Sequence, residues 1–234
     1  MSEVNEERKP KVLIAVLNLG WVETKLAINL FPIMQDKRCH TELIFPQLKG
    51  CETAHNIVCR DFLASEKGYE YLIILGDDTA PPTNYLDLVL LDKPVIGGMC
   101  FQWRGDCVYH LFMRAAREGE TEGPYYTKAI IGNEGLIECD AIGSAGMVIR
   151  RDVLEAVRAP FERQYDEDGV QTLGLDLLFC KKAKAAGFTV WGHTHYPLDH
   201  VQDISLVRVN NYVVKAQRGE LETDIRQDQE IVNA

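Results

Sequence analysis

The chain alternates short unbroken apolar runs with longer stretches whose apolar positions recur every three or four residues. Lys11–Leu17 (KVLIAVL) is the first such run, and it ends at Asn18-Leu19-Gly20. A run of this kind suits a strand buried on both faces of a parallel sheet. Trp21–Met34 then reads as a helix, and Cys39–Phe45 as a second strand stopped by Pro46. In Glu52–Ser65, Ala54, Ile57, Val58 and Phe62 fall on one helical face. Tyr69–Leu75 (YEYLIIL) is a third buried strand that runs into Gly76-Asp77-Asp78-Thr79-Ala80-Pro81-Pro82. A short helix over Asn84–Leu91 and a strand over Pro94–Ile96, closed by Gly97-Gly98, complete the first hundred residues. Strands and helices in this order predict βαβ units and a largely parallel sheet.

Beyond residue 100 the pattern changes. Cys107–Arg114, Tyr125–Ile131 and Gly135–Asp140 alternate in part, as antiparallel additions do. Met147–Arg150 reads as a strand and Arg151–Arg158 as a helix ending before Pro160. Gln164–Gln171 is polar and reads as a mobile loop. Leu175–Ala186 is a helix stopped at Gly187, Phe188–Trp191 a strand, and a His-rich loop leads to His200. Residues 1–10 read as a disordered leader, 11–205 as one domain, and 206–234 as a C-terminal extension, with a possible role in homo-oligomers.

Composition narrows the choice. The 234 residues are 46% hydrophobic, enough for a substantial core. The net charge of −10 argues against sequence-independent nucleic-acid binding, which needs a Lys/Arg surface. Seven cysteines without CxxC spacing, and an N-terminus lacking an apolar signal core, predict reduced thiols and a cytoplasmic protein. No apolar stretch is long enough to predict a transmembrane segment.

Asp77 and Asp78 stand where a buried strand gives way to a turn, and ligands of open α/β sheets bind outside the carboxyl ends of strands. Two adjacent carboxylates repel, and a divalent cation would offset that repulsion. Taken alone, the pair reads first as turn and helix capping. The wider set of motifs changes the weighting. KVLIAVLNLG, ETAHNIVCRDFL, YEYLIILGDDTAPP, IECDAIGSAGMVIRRDVLEAV and LGLDLLFCKKAKAAGFTVW with His200 occur in this order. Together they resemble the GT-A fold glycosyltransferases, especially the small family-2-like enzymes of phages and microbes, over about residues 11–202. The fold class expected is therefore α/β, a Rossmann-like mixed sheet flanked by helices.

The resemblance implies a glycosyltransferase that moves a sugar from a UDP- or GDP-sugar to an acceptor hydroxyl, with Mn²⁺ or Mg²⁺ as cofactor. It implies Asp78 and His200 as metal ligands, Asp77 on the donor ribose or the metal's water shell, and Asp176 as catalytic base. Donor contacts fall to Asn18, Thr24, Asn56, Gly143, Ser144 and Ala145. Each has a plainer alternative: helix caps for Asn18, Thr24 and Asp176, and a glycine turn for Gly143–Gly146. His193 and His195 read as loop or acceptor-side residues, and Trp103 and Arg104 as a sugar or phosphate contact or a half-buried core pair. The sequence departs from the family pattern at Gly76, where a carboxylate is usual, at Leu175, where Glu is usual, and at His55, where Arg is usual. The losses at Gly76 and Leu175 motivate the alternative of a non-catalytic nucleotide-sugar-binding module of the same fold. Acceptors suggested by the relatives are glycan, protein or modified nucleic acid.

Overall fold

The structure is a computed structural model that describes residues 9–47, 50–104, 106–109, 111–114, 125–128 and 134–201, with 210, 213–215, 217–220 and 224–226. Between 101 and 133, and in 224–226, only the backbone is described. The side chains of Trp103 and Arg104, and residues 1–8 of the expected leader, lie outside the described residues.

The elements run β1 (Lys11–Leu17), α1 (Thr24–Gln35), β2 (His40–Ile44), α2 (Cys51–Ala64), β3 (Tyr71–Gly76), β4 (Thr79–Ala80), α3 (Asp87–Leu90) and β5 (Val95–Arg104). Then come β6 (Asp106–Tyr109), β7 (Leu111–Arg114), β8 (Tyr125–Lys128), β9 (Leu136–Cys139), β10 (Ala141–Ile142), β11 (Met147–Arg150) and α4 (Arg151–Ala156). The last are β12 (Gln164–Tyr165), β13 (Gln171–Leu173), α5 (Leu175–Ala185), β14 (Val190–His200) and β15 (Asp224–Arg226). The main sheet has the order β2-β1-β3-β11-β5-β14-β4, with β6 on β5 and β9 on β14. Strands β2, β1 and β3 are parallel, and β11 is antiparallel to both β3 and β5. The result is the expected mixed α/β sheet flanked by helices.

The run in β1 is buried on both faces, and period-two alternation divides it. Leu13 and Ala15 pack with Val58 and Phe62 of α2 and with Phe179 of α5. Val12, Ile14 and Val16 pack on the other face with Leu26, Leu30 and Ile33 of α1.

Three expectations change. Gly97-Gly98 does not close β5, because a strand can run through glycines where another backbone comes close. A Cβ on Gly98 would sit 2.0 Å from the Tyr196 carbonyl oxygen. The expected His-rich loop is the second half of β14, and its register against β5 shifts between His193 and Pro197. The polar stretch 164–171 is not a loop throughout: β12 and β13 form a small hairpin whose turn is held by Asp166, whose carboxylate accepts from the Asp168 and Val170 N–H groups. Within the expected C-terminal extension, β15 pairs with β8 in a second sheet of order β10-β7-β8-β15.

Candidate active site

Strand β3 delivers the acidic pair to the carboxyl end of the sheet. Beside it, β14 returns so that His200 pairs with Thr79 of β4 and the Val201 N–H donates to the Asp78 carbonyl (2.9 Å). Two residues 122 positions apart in sequence are thereby joined: His200 Nε2 lies 3.2 Å from Asp78 Oδ2. The Thr79 hydroxyl donates to Asp78 Oδ1 (3.0 Å). The His200 side chain is mostly buried, at 13% exposure, and that of Asp78 is 37% exposed. The hydrogen bond to Asp78, with a second to the Cys100 thiol, pushes His200 up to about 10 against the desolvation that opposes it. The same His200 contact holds the Asp78 carboxyl below the usual range. Asp77 moves the other way, raised by burial and by the Asp78 charge, while the Leu19 N–H donates to its carboxylate.

These groups form one wall of a cavity of about 340 Å³, whose other walls include Asn18, Gly50, Cys51, His55, Ser144 and Ala145. Gly50, at φ +82°, caps the start of the 14-residue α2, and the first turn of that helix lines the cavity through Gly50, Cys51, Ala54 and His55. Among the described residues that line the cavity, none is Lys or Arg. A larger groove of about 920 Å³ opens at the amino ends of β1 and β2 and holds none of the expected site residues. The smaller cavity is at the carboxyl ends, where open α/β sheets bind ligands.

The structure separates the remaining candidates. Ser144 and Ala145 line the cavity, and Gly143 is buried just before them. Asn18 also lines it, but its amide donates to the Val16 and Pro46 carbonyls while its oxygen accepts from Gly20 N–H, so it braces the loop after β1. Thr24 is the exposed first residue of α1 and does not line the cavity. Asn56 is committed elsewhere: its amide clasps Phe161, donating to the carbonyl at 2.7 Å and accepting from the N–H at 3.0 Å. Asp176 stands behind the cavity wall. Its carboxylate accepts from the Leu177 N–H (2.9 Å) and from backbone N–H at Ser144, and burial raises its pKa.

His55 is the residue that sequence reasoning passed over. It is only 5% exposed, lines the cavity, and packs its ring on Phe161 at 4.7 Å. The departure from the family pattern at His55-Asn56 was the available signal.

Asp78 and His200 would hold a divalent ion as two of its ligands once His200 gave up the proton it now shares with Asp78. Their 3.2 Å separation is close to the edge of an octahedron with bonds of about 2.1 Å, roughly 3 Å. Among the described residues no third His, Cys, Asp or Glu joins them, so the other ligands would be substrate oxygens and water.

No protein-family model matches the chain, and no curated protein matches it. Solved structures do. The crystal structure of A197 from STIV overlays with a TM-score of 0.54 at 16% identity, covering 82% of this chain and 86% of that one. The two share a fold. The inositol-1-phosphate CTP transferase from T. maritima aligns over 92% of this chain and 98% of its own, at 10% identity and a TM-score of 0.42. HddC from Yersinia pseudotuberculosis aligns over 90% and 99%, at 13% identity and 0.39. No helix among the described residues is long and apolar enough to cross a membrane.

Proposed function

We propose that the protein is a metal-dependent glycosyltransferase that moves a sugar from a nucleoside-diphosphate sugar to an acceptor hydroxyl. The observation that carries this reading is the Asp78–His200 pair, brought together on the wall of a cavity at the carboxyl end of β3. A diphosphate in that cavity meets Asp77 and Asp78 and no described lysine or arginine. Its charge needs another source of neutralisation. A divalent ion on Asp78 and His200 supplies it when bound, acting as Lewis acid on the leaving diphosphate. The start of α2 adds the positive end of a helix dipole. The small residues Ser144 and Ala145 give the sugar room at the opposite wall.

The test is to incubate the protein with Mn²⁺ or Mg²⁺ and a panel of UDP- and GDP-sugars, and to measure free nucleoside diphosphate. Release that requires the metal and disappears in Asp78→Ala supports the enzyme. Donor-dependent thermal stabilisation without release, across varied acceptors, supports a binding module instead. Release of pyrophosphate from a nucleoside triphosphate would replace the reading with nucleotidyl transfer.

A further inference from the structure

We propose that His55 is the proton acceptor of this cavity, the group that meets the acceptor hydroxyl. The inference rests on the glycosyl-transfer reading above and assigns a catalytic residue within it.

The geometry of the ring carries the argument. His55 Nδ1 lies 2.7 Å from the Cys51 carbonyl oxygen, one helical turn back. A carbonyl oxygen only accepts, so Nδ1 carries the ring proton and Nε2 holds the lone pair. The Cys51 thiol, 3.7 Å from the same Nδ1, does not change that. Among the described residues Nε2 has no hydrogen-bond partner, yet it is not one of the fully buried side-chain polar atoms left unsatisfied, so some open space meets it. The remaining place for Nε2 is the cavity that His55 lines. Burial favours the neutral ring, which is the form a base needs, and lowers its pKa.

The groups around His55 suit the reverse step. Asp176 of α5 and Glu52 of α2 both favour an imidazolium, and Glu52 is itself paired with Arg163 at 2.9 Å. Cys51 is the other titratable neighbour on α2. The step balances as one displacement. The acceptor O–H proton passes to Nε2, the acceptor oxygen bonds to the anomeric carbon, and the bond from that carbon to the phosphate oxygen breaks. The electron pair leaves with the nucleoside diphosphate, and the Cys51 carbonyl keeps hold of the Nδ1 proton while the ring is charged.

The experiment compares wild type, His55→Gln and His55→Ala. Glutamine keeps a donor for the Cys51 carbonyl, and melting curves with and without donor establish that both variants fold and bind. The expected result is a kcat lower by about 100-fold or more with donor binding retained, and partial recovery of the alanine variant by added imidazole. Ring ¹⁵N shifts in the wild type are expected to place the proton on Nδ1. A kcat within about threefold of wild type in His55→Gln, or a ring proton on Nε2, overturns the assignment. Turnover that survives the substitution sinks this inference alone, whereas a wild type that binds donor and never releases diphosphate sinks the glycosyl-transfer reading with it.

Discussion

Asp78 and Asp176 are both carboxylates at the ends of core elements, and the fold treats them in opposite ways. Asp78 sits at the rim, a third exposed, with a histidine against one oxygen and a hydroxyl on the other, and its pKa falls. Asp176 sits behind the wall, its residue partly exposed and its carboxylate accepting from backbone N–H groups, and desolvation outweighs those bonds, so its pKa rises. The first is kept as an anion by a specific partner and suits cation binding. The second is costly to ionise. The same side chain is thus fitted for two tasks by its surroundings alone.

The strongest way to break this contrast is Asp78→Asn, which keeps the shape and removes the charge. Loss of a metal ligand removes several kcal/mol of charge stabilisation, so metal-dependent diphosphate release is expected to fall by about 1,000-fold or more. The effect should be on kcat, and the loss of the His200 partner lowers the melting temperature as well, so folding is checked by melting curves. A variant with wild-type turnover would mean that the rim carboxylate holds no metal.

Next in size is the loop that backs both walls. Gly146 has φ +73°, and a Cβ there would lie 2.5 Å from Leu198 and 2.6 Å from the Tyr85 hydroxyl. That hydroxyl donates to the Gly146 carbonyl and accepts from the Gly98 N–H. Gly146→Ala therefore combines backbone strain with overpacking and is expected to cost about 2 kcal/mol or more, a melting temperature lower by roughly 4–8 °C. Scanning calorimetry checks it. An unchanged melting point would show that Leu198 and Tyr85 yield freely to the added methyl group.

The rim wall was more legible in the sequence than the inner wall, for physical reasons. The strand before Asp77-Asp78 is a continuous apolar run, and such runs mark buried strands whose ends face a ligand. His200 was assigned to the metal by resemblance, since nothing in local periodicity says that β14 returns beside β4. The inner wall depends on tertiary placement. Asn56 shares a motif with His55, yet the turn of α2 commits one to the Phe161 backbone and gives the other to the cavity. A helix motif shows that both are near one another and not which faces the ligand. Likewise the sequence of β14 reads as a strand followed by a loop, because Pro197 and the polar histidines mask a strand carrying a register shift.

The smallest expected effect tests the Asp176 side of the comparison. Its folded pKa lies above the unfolded value of about 3.9, so the native state takes up a proton more readily than the unfolded chain does. The wild type therefore gains stability from this group as pH falls through the folded pKa, and gives up that gain as pH rises above it. Asp176→Asn is uncharged throughout and can still accept from the Leu177 N–H through its carbonyl oxygen. The variant is expected to melt higher than wild type by a few degrees at most, about 1–3 °C, at pH 7–8. The advantage should shrink as pH falls towards the unfolded value, where folded and unfolded Asp176 are both increasingly protonated. Melting curves between pH 4 and pH 8 measure it. A difference that is constant with pH, or that grows in acid, would mean that Asp176 is held as an anion after all, and the two carboxylates would then be two versions of one environment.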